Sequence, residues 1–337
     1  MKAIGYKQSL SVDAPSALFD FELPVPTASG RDLLVRVEAI SVNPVDAKVR
    51  KRAAPEGDEP KILGWDAAGV VEAVGDGVTL FKPGDAVWYS GELMRQGCNS
   101  EFHLVDERLV GRKPTSLSFV EAAALPLTSV TAWELLFDRL EISEYHLGAM
   151  LVVGAGGGVG SVLIQLAKKL TQLTVVATAS RAETVEWVKS LGADHVIDHS
   201  KPMAEQLERI GEPINYIASL TNTGDYLDQY AALIAPQGKI AVIDDPAAID
   251  IMPFKRKSVS WHWELMFTRS LFQTEDMIKQ HEMLNRVSKL VDSGDIKTTV
   301  ASHFGTINAT NLLKAHALLE SGKSRGKIVL GGWTADS

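Results

Sequence analysis

Leu151-Val152-Val153-Gly154-Ala155-Gly156-Gly157-Gly158-Val159-Gly160 reads as a buried strand running straight into a glycine loop. From Ser161 to Lys169 the apolar residues Val162, Leu163, Leu166 and Ala167 recur at helical spacing. Strand, tight turn and helix N-terminus together make a pocket for a pyrophosphate. Glycines let the backbone approach the phosphates, and the N–H groups of the first helical turn face their charge. Gly157 and Gly160 fit the last two glycines of G-x-G-x-x-G, with Ala155 where the first should stand. The candidate phosphate contacts are therefore Ala155, Gly156, Gly157, Gly158, Val159 and Gly160. Alone, the pattern also serves a tight turn with no ligand.

The sequence downstream favours the ligand. Thr174–Thr178, Gly192–Asp198, Ile214–Ala218 and Lys239–Ile243 are further short apolar runs, separated by segments such as Ala182–Leu191 that look helical. That alternation is the signature of βαβ units around a parallel sheet buried on both faces. A doubly wound nucleotide-binding domain of five strands is the economical reading.

The end of the second strand bears on which dinucleotide binds. An NAD site usually places a carboxylate about 20 residues past the glycines, to hold the ribose 2′-hydroxyl. Here that position is Ser180, followed by Arg181, and the first carboxylate is Glu183. A hydroxyl and a forked guanidinium suit a 2′-phosphate, which points to NADPH. The alternative is that Ser180 simply caps the helix beginning near Ala182, and the two roles can coexist.

Composition sets the class. The chain has 337 residues, 45% hydrophobic and 23% charged, enough for two domains with full cores. A net charge of −8 and the lack of any Lys/Arg-rich run argue against nucleic acid as a partner. Cys98 is the only cysteine, so neither a disulfide framework nor a multi-cysteine zinc site is possible within one chain. No signal-peptide core and no run of 18 apolar residues is present, so the expectation is a cytoplasmic protein with no membrane insertion.

The first third differs from the middle. Leu33–Val42, Ala67–Gly75, Gly84–Tyr89 and Glu101–Val105 are β-rich runs with Gly/Pro turns, as in a small barrel or sandwich. Residues 117–140 turn helical. Thr274–Val291 and Thr310–Leu319 read as helices and Gly326–Leu330 as a closing strand. The expected division is a β-rich domain over 1–126, a dinucleotide-binding domain over 127–267, and a return to the first over 268–337. The cleft between domains is the expected ligand site.

In this order, Ser41-Val42-Asn43-Pro44-Val45-Asp46, Gly64-Trp65-Asp66-Ala67-Ala68-Gly69, Gly84-Asp85-Ala86-Val87, Ala124-Leu125-Pro126-Leu127, Thr131-Ala132-Trp133, the glycine loop and Leu191-Gly192-Ala193-Asp194 form a specific series. The chain resembles the medium-chain dehydrogenase/reductase superfamily along nearly its whole length. Within it the resemblance is to the zinc-independent quinone oxidoreductase (zeta-crystallin-like) branch, whose bacterial members are often labelled zinc-type alcohol dehydrogenase-like. That resemblance implies an α/β architecture, with a doubly wound Rossmann sheet joined to a GroES-like, mostly β catalytic domain. It also implies NADPH as hydride donor and commonly a homodimer.

In the metal-dependent branch a cysteine, a His-Glu pair and a further ligand hold a catalytic zinc. Here the cysteine position falls on Asn43 or its neighbour, and Gly-His-Glu reads Gly64-Trp65-Asp66. His195 and His199 flank Asp198 at ligand-like spacing, but at the end of a Rossmann strand. No metal is expected. Without a Lewis acid to stabilise an alkoxide, the expected reaction is reduction of quinones or α,β-unsaturated carbonyls, whose acceptors delocalise the charge themselves. A zinc-free reductase of small aldehydes or ketones and a non-catalytic NADPH-binding protein are the alternatives.

The resemblance places Asn43 and Asp46 beside the nicotinamide and Thr131 near its ribose or amide, as the catalytic candidates. Asn43-Pro44 is equally a turn, and Asp46 equally caps the next helix. His199 stands where the family has a tyrosine by the adenosine phosphate. Thr221 and Asn222 follow the fourth strand. Arg50 matches a family arginine that could instead be structural. Trp261-His262-Trp263 with Met266, Phe267 and Phe272 reads as core or dimer contact rather than pocket wall. Cys98 reads as a quiet, partly buried thiol.

Overall fold

The computed structural model describes residues 1–55 and 57–333. The chain divides into two compact units: Met1–Leu127 with Phe267–Gly294 and Thr298 onward, and Thr128–Met266 with Asp295–Lys297.

The second unit is built on six parallel strands in the order His195–Ile197, Thr174–Thr178, Ala149–Val153, Ile214–Ser219, Ile234–Val242 and Ser260–Trp263. Its core is the aliphatic filling of those strands, including Leu151, Val153, Val176, Ile217, Ile240 and Val242, closed by Met203, Leu207, Tyr230 and Phe254 from the covering segments. The sixth strand, Ser260–Trp263, was absent from the five-strand reading. Its aromatics do not act as one group. Trp261 packs edge-on against Phe254 with ring centroids 5.0 Å apart, whereas Trp263 is 61% exposed on the sheet's outer edge. Met266 and Phe267 are buried and Phe272 is exposed. Asp295–Lys297 counts with this unit because Lys297 N–H donates to Gln165 Oε1 at 2.8 Å.

The first unit carries two sheets. Lys2–Tyr6, Phe19–Glu22 and Lys61–Ile62 form the smaller. The larger runs Val300–His303, Lys327–Gly331, Asp32–Val42, Ala67–Val74, Ala86–Tyr89 and Val110–Arg112, with Phe102–Asp106 also paired to Asp32–Val42. Asp32–Val42 can serve three neighbours because register shifts at Leu34/Val35 and Val37/Ala39 bend it. The expected helix over Thr274–Val291 is shorter, Lys279–Asp292, with a separate turn of helix at Thr268–Phe272. Thr274 Oγ1 donates to Asp276 at 2.7 Å and Gln273 is left-handed, so local side-chain bonding breaks the helical run.

The helical run Phe119–Arg139 is long and apolar enough to cross a membrane by length and composition. Of its most apolar window 78% is buried inside the fold, the pattern of a core helix.

Candidate functional site

Two places in the molecule concentrate the predicted residues, one in each unit. In the parallel sheet, Ala149–Val153 lies between Thr174–Thr178 and Ile214–Ser219, so strand order reverses there. The crevice outside the carboxyl ends at such a reversal is where open α/β sheets take ligands. The glycine loop leaves Val153 at that point. Gly154 adopts φ +82°, so the tight turn assigned to Ala155 in the fingerprint falls one residue earlier.

The remaining glycines separate by cause. A Cβ on Gly156 would lie 2.3 Å from Thr184 Cγ2, and one on Gly160 2.5 Å from the Ala155 carbonyl oxygen. Both are excluded by the protein's own packing. Gly157 is not: its φ is −77° and a Cβ there would meet only Gly154 O, at an ordinary 3.5 Å. The helix that follows is Gly158–Leu170, three residues earlier than its apolar spacing suggested, with Gly157 as N-cap. That cap makes no side-chain bond and the first turn holds no acid. Bare N–H groups, a positive helix end and unused room at Gly157 fit a pyrophosphate.

The other nucleotide candidates lie at the same carboxyl edge. Ser180 and Arg181 follow Thr174–Thr178 and are exposed. Arg181, not Ser180, is the N-cap of Ala182–Ser190, and its guanidinium lies 3.6 Å from Glu183. His199 is half-buried, with Nδ1 3.3 Å from the Tyr226 hydroxyl. Thr221 and Asn222 are exposed past Ile214–Ser219, and Asn222 is left-handed. Thr221 is brought against the glycine loop, where a Cβ on Gly154 would lie 2.9 Å from its Cγ2. Asp244 shapes this loop by accepting the Thr223 N–H at 2.9 Å. Thr131 is buried on the helix Pro126–Trp133.

In the β-rich unit the structure assembles a buried polar cluster. Asn43 and Asp46 open the helix Pro44–Arg52, where the Asp46 carboxylate accepts the Asn43 N–H at 2.6 Å. Gly64, at φ +105° with its absent Cβ's place taken by Asn99, turns the chain into Trp65-Asp66. Asn43 Nδ2 donates to Asp66 Oδ2 at 3.0 Å, and Asp66 Oδ1 accepts the Leu127 N–H at 2.9 Å. Lys327, from the closing strand, joins them: Nζ donates to Asp66 Oδ2 at 3.1 Å, to the Val42 carbonyl at 3.0 Å and to Asn43 Oδ1. Exposures of the four side chains' residues run from 0 to 3%. Burial pushes the Asp46 carboxyl up to about 7, against the pull of the Asn43 N–H and Lys327. Burial raises Asp66 too, and Lys327 beside it opposes the rise.

Sequence reasoning missed Lys327. A lone lysine inside an apolar closing strand was the available signal, since lysine is almost never fully buried without a partner. Arg50 is fully buried and structural, donating to the Leu10 carbonyl, Glu320 and His316 Nδ1. Cys98 is fully rather than partly buried. Its Sγ lies 3.6 Å from the Asp66 carbonyl, and burial holds the thiol well above its ordinary range.

Residues 29–128 match the alcohol dehydrogenase GroES-like domain, and residues 191–330 match the zinc-binding dehydrogenase family. A zinc-type alcohol dehydrogenase-like protein of Staphylococcus epidermidis is 39% identical, covering 98% of this chain and 99% of its own. The chain belongs to the medium-chain dehydrogenase/reductase superfamily, in its quinone oxidoreductase branch. The 2-methylene-furan-3-one reductase of Solanum lycopersicum is 31% identical over 98% of this chain and 79% of that one. Among solved structures, a Rhizobium etli CFN 42 protein with the provisional name of a zinc-dependent alcohol dehydrogenase shares 54% identity, covers 99% of both chains and superposes with TM-score 0.96. A Pseudomonas syringae quinone oxidoreductase shares 26%, covering 98% of this chain and 99% of that one, with TM-score 0.83.

As a medium-chain dehydrogenase/reductase the protein is an oxidoreductase that works with a nicotinamide cofactor and a small-molecule acceptor. The zinc in several of these names does not fit its residues. Trp65 offers no ligand atom, its Nε1–H being donated to the Glu92 carbonyl at 2.9 Å. His103 is tied by both ring nitrogens to Tyr89 and Gln96. Among the described residues no three His, Cys, Asp or Glu side chains converge as a metal site.

Proposed function

We propose that this medium-chain dehydrogenase/reductase is an NADPH-dependent, zinc-independent reductase of quinones or α,β-unsaturated carbonyls. The observation that carries the reading is the donor set of the β-rich unit. By the family resemblance, Asn43 or its neighbour, Trp65 and Asp66 stand at the metal-ligand positions, and these residues do not supply the three-ligand tetrahedral site that a catalytic zinc requires. Alcohol oxidation without a Lewis acid is disfavoured, whereas a conjugated acceptor spreads the developing charge itself. The enone reductase and quinone oxidoreductase names among its relatives agree.

In this reading Ala155–Gly160 cradle the pyrophosphate, and Ser180 and Arg181 hold the 2′-phosphate. His199, Thr221 and Asn222 line the adenosine and ribose side. When bound, the reduced nicotinamide supplies the hydride. Asn43 lines the acceptor pocket, Asp46 fixes the loop that carries it, and Thr131 supports the nicotinamide. We also infer a cytoplasmic homodimer. The outer edge of Ser260–Trp263 has no strand neighbour among the described residues, and the strand ends on exposed Trp263, with exposed Leu265 just beyond it.

The test is oxidation of NADPH with a simple quinone, an enone and an aldehyde in parallel, with NADH and a chelator as controls. Chelator-resistant turnover of quinone or enone, faster with NADPH, is the expected outcome. Turnover that a chelator abolishes and zinc restores would overturn it. Tight NADPH binding with no turnover would favour the non-catalytic alternative.

A further inference from the structure

A chain of hydroxyls crosses the carboxyl edge of the parallel sheet and ends on Asp244. Ser219 closes the strand Ile214–Ser219, Thr223 opens the short turn Thr223–Tyr226, and Tyr230 lies on the helix Leu227–Leu233. All three are fully buried. Thr223 Oγ1 donates to Asp244 Oδ1, and the Thr223 N–H donates to Oδ2 at 2.9 Å. With the Thr223 proton so engaged, the Ser219 hydroxyl, 2.7 Å away, has to donate to Thr223. The Tyr230 hydroxyl, 2.8 Å from Ser219, in turn donates to Ser219. Burial pushes Tyr230 well above its ordinary range and keeps that proton in place. Every hydroxyl in the chain therefore points its positive end toward Asp244. The carboxylate itself is half-buried, and no Lys, Arg or His side chain pairs with it among the described residues. An asparagine would accept the Thr223 N–H equally well, so holding the loop does not by itself call for a charge.

The sheet says which half of a dinucleotide that charge faces. Ser180 and Arg181 follow Thr174–Thr178, on one side of Ala149–Val153, and Asp244 follows Ile234–Val242, on the other. A doubly wound sheet takes one mononucleotide over each half. With the 2′-phosphate on the Ser180 side, the nicotinamide falls on the Asp244 side. We propose that Asp244 is the counter-charge for the oxidised nicotinamide ring, and that it raises the affinity for NADP⁺ relative to NADPH. The inference rests on the NADPH reading above. The reduced ring is neutral and the oxidised ring carries one positive charge, whereas the phosphates are the same in both. A carboxylate on the nicotinamide side therefore discriminates between the two forms, and hydrogen bonds that only shape the loop do not. Hydride leaves the reduced ring with its electron pair and passes to the acceptor, so a carboxylate that favours the positive ring favours that donation. For a half-buried charge pair the effect is about threefold to tenfold in relative affinity.

The test is calorimetric titration of the protein with NADP⁺ and with NADPH, no acceptor being present. Asp244→Asn should lower the ratio of NADP⁺ to NADPH affinity about threefold to tenfold, nearly all of it through NADP⁺, and the shift should shrink as salt rises. Thr223→Val keeps the carboxylate and removes the hydroxyl that fastens it. That variant should weaken both forms alike and leave the ratio where it is. Should Asp244→Asn fail to fold, Thr223→Val/Asp244→Asn set against Thr223→Val alone makes the same comparison of charge. A ratio unchanged by loss of the carboxylate, whatever the fall in both affinities, overturns the proposal and makes Asp244 a fastening of the loop only. If wild type reduces no quinone or enone, the proposed reaction falls, while the ratio still decides the role of Asp244. If NADH binds in place of NADPH, the ratio is read with NAD⁺ and NADH, whose rings differ by the same charge. A protein that binds no nicotinamide nucleotide overturns both readings.

Discussion

The two units place charge by opposite means. The proposed dinucleotide cradle is nearly all backbone, with N–H groups at the start of Gly158–Leu170 and a glycine whose missing side chain nothing inside the protein requires. The cluster in the β-rich unit is nearly all side chain, an ammonium, two carboxyl groups and an amide locked together out of water. A backbone site tolerates loss of one contact, because its donors are held by secondary structure. A buried ionic cluster does not, because each member's burial depends on the others. The comparison therefore breaks most sharply at Lys327.

Lys327→Met should cost about 3–5 kcal/mol in denaturant unfolding, since Asp66 is left buried without its cation. Asp66→Asn/Lys327→Met should recover most of that. Equal losses in the single and double variants would mean that packing, not charge, holds the cluster together.

Asp46 sharpens the same contrast through pH. Its folded carboxyl titrates at about 7, above the ordinary 3.8, so the folded state holds a proton that the unfolded chain gives up. Its stabilising contribution is complete below about pH 4 and is lost as pH rises toward 7. Asp46→Asn, which keeps an oxygen for the Asn43 N–H, should therefore gain on wild type from pH 5 to pH 8, by about 2–4 kcal/mol. A gap that is flat with pH would mean that Asp46 is ionised in the folded state.

The contrast also explains what was legible. The cradle was readable because its parts are contiguous: a strand, a glycine run and a helix within twenty residues, governed by local spacing. Even there, the tight turn at Gly154 and the early helix start were missed, because spacing does not report φ. The β-rich cluster joins positions 43, 66 and 327, up to 284 residues apart, through the pairing of Asp32–Val42 with a strand at the far end of the chain. No periodicity encodes that, so Asn43 and Asp46 were found by resemblance and Lys327 was not found. Ser260–Trp263 escaped for another reason. Its burial is graded rather than alternating, so aromatic content masked a sheet edge.

Within the cradle, glycines 157 and 160 should separate fold from binding. Gly160→Ala forces a Cβ into the Ala155 backbone and should cost about 1–3 kcal/mol in stability. Gly157→Ala has room for its Cβ and should leave the thermal midpoint nearly unchanged while weakening NADPH binding about tenfold or more. If Gly157→Ala binds NADPH as wild type does, the pyrophosphate does not approach that backbone.

The smallest effect expected is at Arg181, and its size follows from exposure. The guanidinium lies in solvent, and Glu183 competes for it at 3.6 Å, so screening and the neighbouring carboxylate both discount its pull on a phosphate. Arg181→Ala should weaken NADPH binding only about threefold to tenfold, with the gap closing as salt rises and NADH binding untouched. Glu183→Gln, which removes the competing carboxylate, should move NADPH affinity the other way. Equal losses for NADPH and NADH in Arg181→Ala would mean that the residue serves the helix it caps rather than the 2′-phosphate. The choice between cofactors would then have to come from Ser180 and the backbone around it.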